Sequence, residues 1–145
     1  LALGRKLQKK SGKIYVMISD GECQEGTTWE SLLIGAKHCL DNLVVLVDYN
    51  KIQALTALDE ALPLADLSSK FRAFNWDCTE VNDGHSFDEL ISVLKQQNNA
   101  VKPKVIIAHT TKGKGIKAFE NDPAWHARKI KGEELEIGRQ ELGLV

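Results

Sequence analysis

The stretch IYVMISDGECQEGTTWE, residues 14–30, holds an apolar run, an acidic glycine-bearing turn and the start of a helical pattern. Ile14 to Ile18 is short, rich in β-branched residues and bounded by Gly12 and Gly21, which reads as a buried strand. Beyond the turn, Trp29, Leu32, Leu33, Ala36 and Leu40 recur at helical spacing. Thr27 or Thr28 is placed to cap that helix, with Glu30 in its first turn. Between strand and helix stand Asp20, Glu22 and Glu25. Acids in such a turn either cap a helix or hold a cation.

The pattern repeats outward along the chain. Leu43 to Val47 (LVVLV) is a second continuous apolar strand, and residues 51–63 lack periodicity and read as a loop. A short helix is expected over Leu64 to Phe74, and a weaker strand over Trp76 to Val81. Asn82-Asp83-Gly84 is a turn, and Ser86 caps a helix carrying Phe87, Leu90, Ile91 and Leu94. A linker runs to Pro103. Val105 to Ala108 (VIIA) is a fourth strand, followed by the basic stretch TTKGKG and an acidic helical tail from Gly132 to Leu142. Continuous apolar strands alternating with helices predict an α/β fold: a parallel β-sheet with helices on both faces. Such sheets bind ligands beyond the carboxyl ends of their strands. The rule singles out Asp20-Gly21, Asp48-Tyr49-Asn50, Asn82 to His85, and His109 to Gly115.

The bulk numbers exclude other classes. The 145 residues suffice for one compact domain, expected to span 1–145 as part of a larger protein, since no initiator Met is present. Hydrophobic residues make up 43% and the net charge is −1, so neither a nucleic-acid partner nor a charged membrane surface is indicated. No apolar run nears the roughly 20 residues of a membrane span. The opening LALGRKLQKK reads as the end of an amphipathic helix, not a signal peptide. Cys23, Cys39 and Cys78 form no CxxC pair; each reads as a small buried hydrophobe, and three free thiols predict a cytoplasmic location.

Asp20 follows the first strand and Asn50 the second. If those strands are neighbours, a carboxylate and an amide oxygen converge above the sheet. Both are hard oxygen ligands suited to Mg²⁺ or Ca²⁺. Mg²⁺ favours one or two carboxylates together with phosphate oxygens, so a phosphate compound is implied as well. The helix expected near Thr28 offers an anion-friendly end. The competing reading has Asp20 capping a turn and Asn50 in a left-handed conformation. The residues alone leave both open.

The strings SDGECQEGTTWE and LDNLVVLVDYNKIQ resemble the thiamine-diphosphate signature of transketolases, a Gly-Asp-Gly followed some thirty positions on by an Asn; Asp20 and Asn50 stand 30 apart. The later stretch HTTKGKGIKAFENDPAWH strengthens the resemblance, which covers nearly the whole chain. It implies a thiamine-diphosphate-binding fold and transfer of a two-carbon ketol unit from a ketose phosphate to an aldose phosphate. The cofactors implied are thiamine diphosphate and Mg²⁺, with Ca²⁺ or Mn²⁺ as substitutes. Asp20, the Asn50 side chain and the Ile52 carbonyl match metal ligands; Gly21 and Glu22 lie in the cofactor-binding turn. Lys112 and His126 match residues facing the diphosphate and the substrate, His126 with a catalytic role. Glu25 matches a catalytic glutamate at the family's dimer interface.

Ser19 replaces the first glycine of the signature and fits there if its φ is negative. The family's upstream histidines and its second, pyrimidine-binding domain have no counterpart in these residues. The resemblance therefore implies a diphosphate half-site. Its partner would be a pyrimidine-binding domain or a separate pyrimidine-binding subunit, and the assembly a homodimer or heterotetramer. The ending GEELEIGRQELG is similar to that of split-type N-terminal subunits. Two alternatives stay open: a catalytically silent transketolase-like partner, and another thiamine-diphosphate enzyme such as a deoxyxylulose-phosphate synthase. Other polar residues receive structural readings. His38 packs or faces solvent, His85 is structural, and His109 touches the cofactor or satisfies a backbone group. Lys114 is a solvated charge, Trp125 positions His126, and Trp29 is core.

Overall fold

The computed structural model describes residues 1–96 and 101–145. Part of the linker expected before Pro103 thus lies outside the described residues. Four parallel strands, β1 (Ile14–Ser19), β2 (Leu43–Tyr49), β3 (Asp77–Val81) and β4 (Lys104–His109), form one sheet in the order β1-β2-β4-β3. The register pairs Ser19 with Asp48 and Tyr49 with His109, so all four strands end at one edge.

Helices cover both faces, unequally. On one face Val45, Val47, Val105 and Ile107 pack under α2 (Gly26–Lys37) and α4 (Leu67–Ala73), with Leu32, Phe71 and Trp76 filling the layer. Trp76 donates its indole N–H to the Leu32 carbonyl at 3.0 Å. A Cβ on Gly35 would lie 2.7 Å from the Trp76 ring, so the helix sits this close only because residue 35 has no side chain. The other face holds a smaller cluster, Val44, Val81 and Ile106, beneath Leu90, Val93 and Leu94 of α5 (Phe87–Lys95). Lys104 is buried at the start of β4; its ammonium donates to the Val93 carbonyl at 2.8 Å, and burial pushes its pKa down.

Several expectations need correction. β1 is not a buried strand: it lies at the sheet edge, and Tyr15 and Met17, on the α5 side of the sheet but beyond the part that α5 covers, are 54% and 72% exposed. Neither Thr27 nor Thr28 caps α2. The chain first makes a 3₁₀ turn over Gly21–Gln24, the helix starts at Gly26, and the Thr28 hydroxyl donates backward to the Glu22 carbonyl. Leu33 is exposed. The 51–63 loop contains a short helix, α3 (Leu58–Ala61), whose Leu58 is buried. The helix expected from Leu64 starts at Leu67 because Asp66 caps it, accepting from the Ser69 N–H at 2.9 Å. Cys39 is exposed, not a core hydrophobe, whereas burial pushes the Cys23 thiol up to about 12. The Ser86 cap of α5 is present as expected. The chain opens with α1 (Ala2–Leu7) and ends with α6 (Glu133–Glu141).

Candidate functional site

Asp20 and Asn50 leave adjacent strands at the same edge. The Asp20 N–H extends the ladder to the Asp48 carbonyl at 3.2 Å. Its carboxylate is turned inward, 2% exposed, and accepts the Lys51 N–H at 2.6 Å. It therefore does not cap the turn that follows it. Burial raises its pKa above the usual carboxylate range; backbone N–H groups of Lys51 and Gly21 oppose this, Asp48 reinforces it, and the charge of Lys112 opposes it again. Asn50 accepts the Ile52 N–H on Oδ1 at 3.0 Å, and its Nδ2 lies 3.4 Å from Asp48 Oδ2. Lys51, not Asn50, takes the left-handed conformation, with φ 64°. Ile52 pairs with Ala57 in a small bridge closed by Gln53 N–H to Thr56 O and Leu58 N–H to Lys51 O, which leaves the Ile52 carbonyl outside the ladder.

The loop after β4 faces this pair. Thr110 donates its hydroxyl to Asp48 Oδ1, and the next residue donates its N–H to His85 Nε2 at 2.7 Å. Lys112 then reaches His126, Nζ to Nδ1 3.1 Å. An ammonium only donates, so His126 Nδ1 accepts and a neutral ring carries its proton on Nε2. His126 ends a 3₁₀ turn begun at Pro123 and capped by Asp122. Trp125, next to it, stacks on Phe119 at 4.1 Å between ring centres. A cavity of about 330 Å³ lies between the ends of β2 and β4, with Asp48, Asn50, His85, Thr110 and Lys112 on its wall.

These residues fit a hard cation bound together with an anion. Among the described residues no cluster of three His, Cys, Asp or Glu side chains could hold a metal. The oxygens that the strand ends offer are instead one carboxylate, one amide oxygen and one backbone carbonyl, all of the hard type that Mg²⁺ or Ca²⁺ takes. Gln53 has a buried Nε2 with no hydrogen-bond partner, 3.6 Å from where a Gly21 Cβ would stand. An orphaned amide beside Gly21 is a group for a bound ligand to satisfy.

Other expected residues lie apart from this centre. Glu22 Oε2 is engaged within its own turn, accepting from the Ser19 N–H at 2.7 Å and from its hydroxyl at 3.0 Å. Ser19 takes a negative φ, as its place in the signature requires. Glu25 is exposed at the start of α2, on a groove along the β1 edge with Val16, Ile18 and Leu43. The His109 side chain meets Glu80: Nε2 contacts the carboxylate at 2.9 Å, and that contact is the main cause holding the Glu80 carboxyl below its usual range. Lys114 is not simply solvated but lies 3.9 Å from Glu120. The strand-end rule points to the positions of Asp48 and His85 without giving either a role, and sequence reasoning passes over Gln53 altogether. The strand-end position of Asp48 is its only local signal, and Gln53 carries none.

Residues 6–145 match a family model described as the transketolase thiamine diphosphate binding domain. Over 142 residues the chain is 37% identical to one subunit of an apulose-4-phosphate transketolase from Actinobacillus succinogenes, covering 98% of this chain and 51% of that protein. It is 36% identical over 143 residues to a 6-deoxy-6-sulfo-D-fructose transketolase subunit from a Clostridium species, covering 98% and 52%. The chain thus spans about half the length of these relatives. The crystal structure of transketolase from Campylobacter jejuni superimposes with a TM-score of 0.86 at 27% identity, over 98% of this chain and 23% of that one.

Proposed function

The chain belongs to the transketolase family, and from that premise we propose that residues 1–145 form one thiamine-diphosphate-binding unit supplying the diphosphate and Mg²⁺ half of a ketol-transferring site. The observation that carries the reading is Asp20: a carboxylate 2% exposed, raised in pKa by burial, with Asn50 beside it and Lys112 close enough to act on its charge. A buried anion of this kind calls for a cation.

In this reading Asp20, Asn50 Oδ1 and the Ile52 carbonyl hold Mg²⁺, or Ca²⁺ or Mn²⁺ in its place. A carboxylate has about four lone-pair sites, so Asp20 keeps its bond from Lys51 while ligating. The Gly21 N–H and Lys112 meet the diphosphate, and Glu22 keeps the turn closed. Bound thiamine diphosphate supplies the carbanion chemistry of carbon–carbon cleavage. Lys112 fixes the His126 tautomer, leaving Nε2–H to donate to a hydroxyl or phosphate of the sugar or to pass a proton. Glu25, exposed on the β1-edge groove, faces a second subunit. A pyrimidine-binding domain or partner chain completes the site, in a homodimer or heterotetramer. Sugar phosphates are the substrate class.

Calorimetric titration of the full protein with thiamine diphosphate, first with Mg²⁺ and then with EDTA, tests the reading. Mg²⁺-dependent binding is expected; binding unaffected by EDTA refutes the metal set, and no binding by the full assembly leaves a silent subunit. An acceptor panel comparing aldose phosphates with pyruvate plus glyceraldehyde phosphate separates ketol transfer from deoxyxylulose-phosphate synthesis.

A further inference from the structure

We infer that His85, on the turn between β3 and α5, is a positioning residue for Lys112. Nothing in its local sequence marks it for this. The turn itself is pressed onto the end of β4: the Gly84 N–H donates to the His109 carbonyl at 2.7 Å. A Cβ at position 84 would lie 2.6 Å from the Thr110 methyl and 2.8 Å from the His109 oxygen, so glycine is required for the approach. Asp83 accepts the His85 N–H on Oδ1 at 2.9 Å and, through its carbonyl, the Ser86 N–H at 3.0 Å. The backbone under the imidazole is thereby anchored at both ends.

From that base His85 Nε2 accepts the Thr111 N–H at 2.7 Å. A ring nitrogen that accepts is unprotonated, so the neutral ring carries its proton on Nδ1. Thr111 is the residue immediately before Lys112. The residue before it, Thr110, is held by Asp48, which also lies against the Asn50 amide. Two consecutive residues are therefore tied down, Thr110 by its hydroxyl to β2 and Thr111 by its N–H to the β3–α5 turn, just where the chain leaves the sheet. Lysine is a point charge on a flexible four-carbon stem. Its ammonium can be aimed only by fixing the backbone it grows from, and its contact with His126 shows where it is aimed. His85 thus acts through Thr111 on Lys112, and through Lys112 on His126.

The role in ligand binding rests on the proposed diphosphate site; the positioning itself does not. The test uses the full protein with His85→Ala and His85→Gln, since a glutamine Oε1 can accept where Nε2 does. Amide hydrogen exchange at Thr111 is read by NMR, with the thermal midpoint as a fold control. The ¹⁵N shift of His126 Nδ1 reports the contact with Lys112. Affinity for inorganic pyrophosphate with Mg²⁺ is the third readout. His85→Ala is expected to speed Thr111 exchange by about tenfold, the scale of one lost hydrogen bond, to move the His126 signal, and to weaken pyrophosphate binding by several-fold. His85→Gln is expected to restore all three. Unchanged Thr111 exchange or an unmoved His126 signal in His85→Ala overturns the inference. So does an alanine variant that binds pyrophosphate as the wild type does, or a glutamine variant no better than alanine. A wild type that ignores Mg²⁺-pyrophosphate, while the His126 signal still responds to His85, removes the functional reading and leaves the positioning role standing.

Discussion

β1 and β4 look alike as strings, IYVMI and VIIA, yet they live in different surroundings. β4 is an interior strand paired on both sides, and its residues from Lys104 to Ala108 are all buried. β1 is paired only with β2, and Tyr15, Val16 and Met17 are exposed. Its end reverses the trend: Asp20, one residue past the strand, is 2% exposed. The polar residue at the tip is sealed while the apolar residues in the body are open. An apolar run reports that a strand can be buried; its position in the sheet reports whether it is. The inward turn at Asp20 lies at the strand ends, the edge where parallel sheets bind ligands, and not in the core.

The sharpest way to break this contrast is to truncate matched side chains. Ile106→Ala should cost about 2–5 kcal/mol, because β4 is covered on both faces and the void cannot collapse. Met17→Ala, on the open face of β1, should stay within about 0.5 kcal/mol. Urea denaturation of both variants measures the pair, and equal losses would mean that β1 is covered in the working protein. The face that does cover the sheet is probed by Gly35→Ala. The new methyl would meet the Trp76 ring, and overpacking should cost about 1–3 kcal/mol. Gly26→Ala, with nothing within 4 Å of the new Cβ, serves as the control.

The smallest effect on stability is expected at the tip of β1. Burial raises the Asp20 pKa above its unfolded value, so the folded chain holds that proton more tightly. The stability this lends is complete below the unfolded pKa and is lost as pH rises through the folded one. At neutral pH the ligand-free protein therefore carries a buried charge at a cost. Asp20→Asn should hold or raise the ligand-free thermal midpoint at neutral pH, and should flatten the loss of stability on rising from acid. It should also abolish Mg²⁺-dependent diphosphate binding. A clear drop in the midpoint would make Asp20 a structural residue first.

Much of this is legible locally. Ser86 and Glu89 are close in sequence, so the cap can be read from the string. Asp20 and Asn50 can be picked because each ends an apolar run, and strand ends face ligands in parallel sheets. The start of α2 misleads because Thr28 donates backward to Glu22 rather than capping. The groups that hold Lys112 in place are out of reach for another reason. His85 finds Thr111 across 26 residues and Asp48 finds Thr110 across 62, and no periodicity encodes such partners.

The sequence by itself determined the alternation of strands and helices, the parallel sheet and the positions of its chemically loaded ends, because period, turn residues and caps are short-range properties. The tertiary structure alone decided which strand lies at the edge, which acid is sealed and which stays exposed, and which imidazole aims the lysine. Those depend on the order β1-β2-β4-β3, which brings residues far apart in the chain within hydrogen-bond reach.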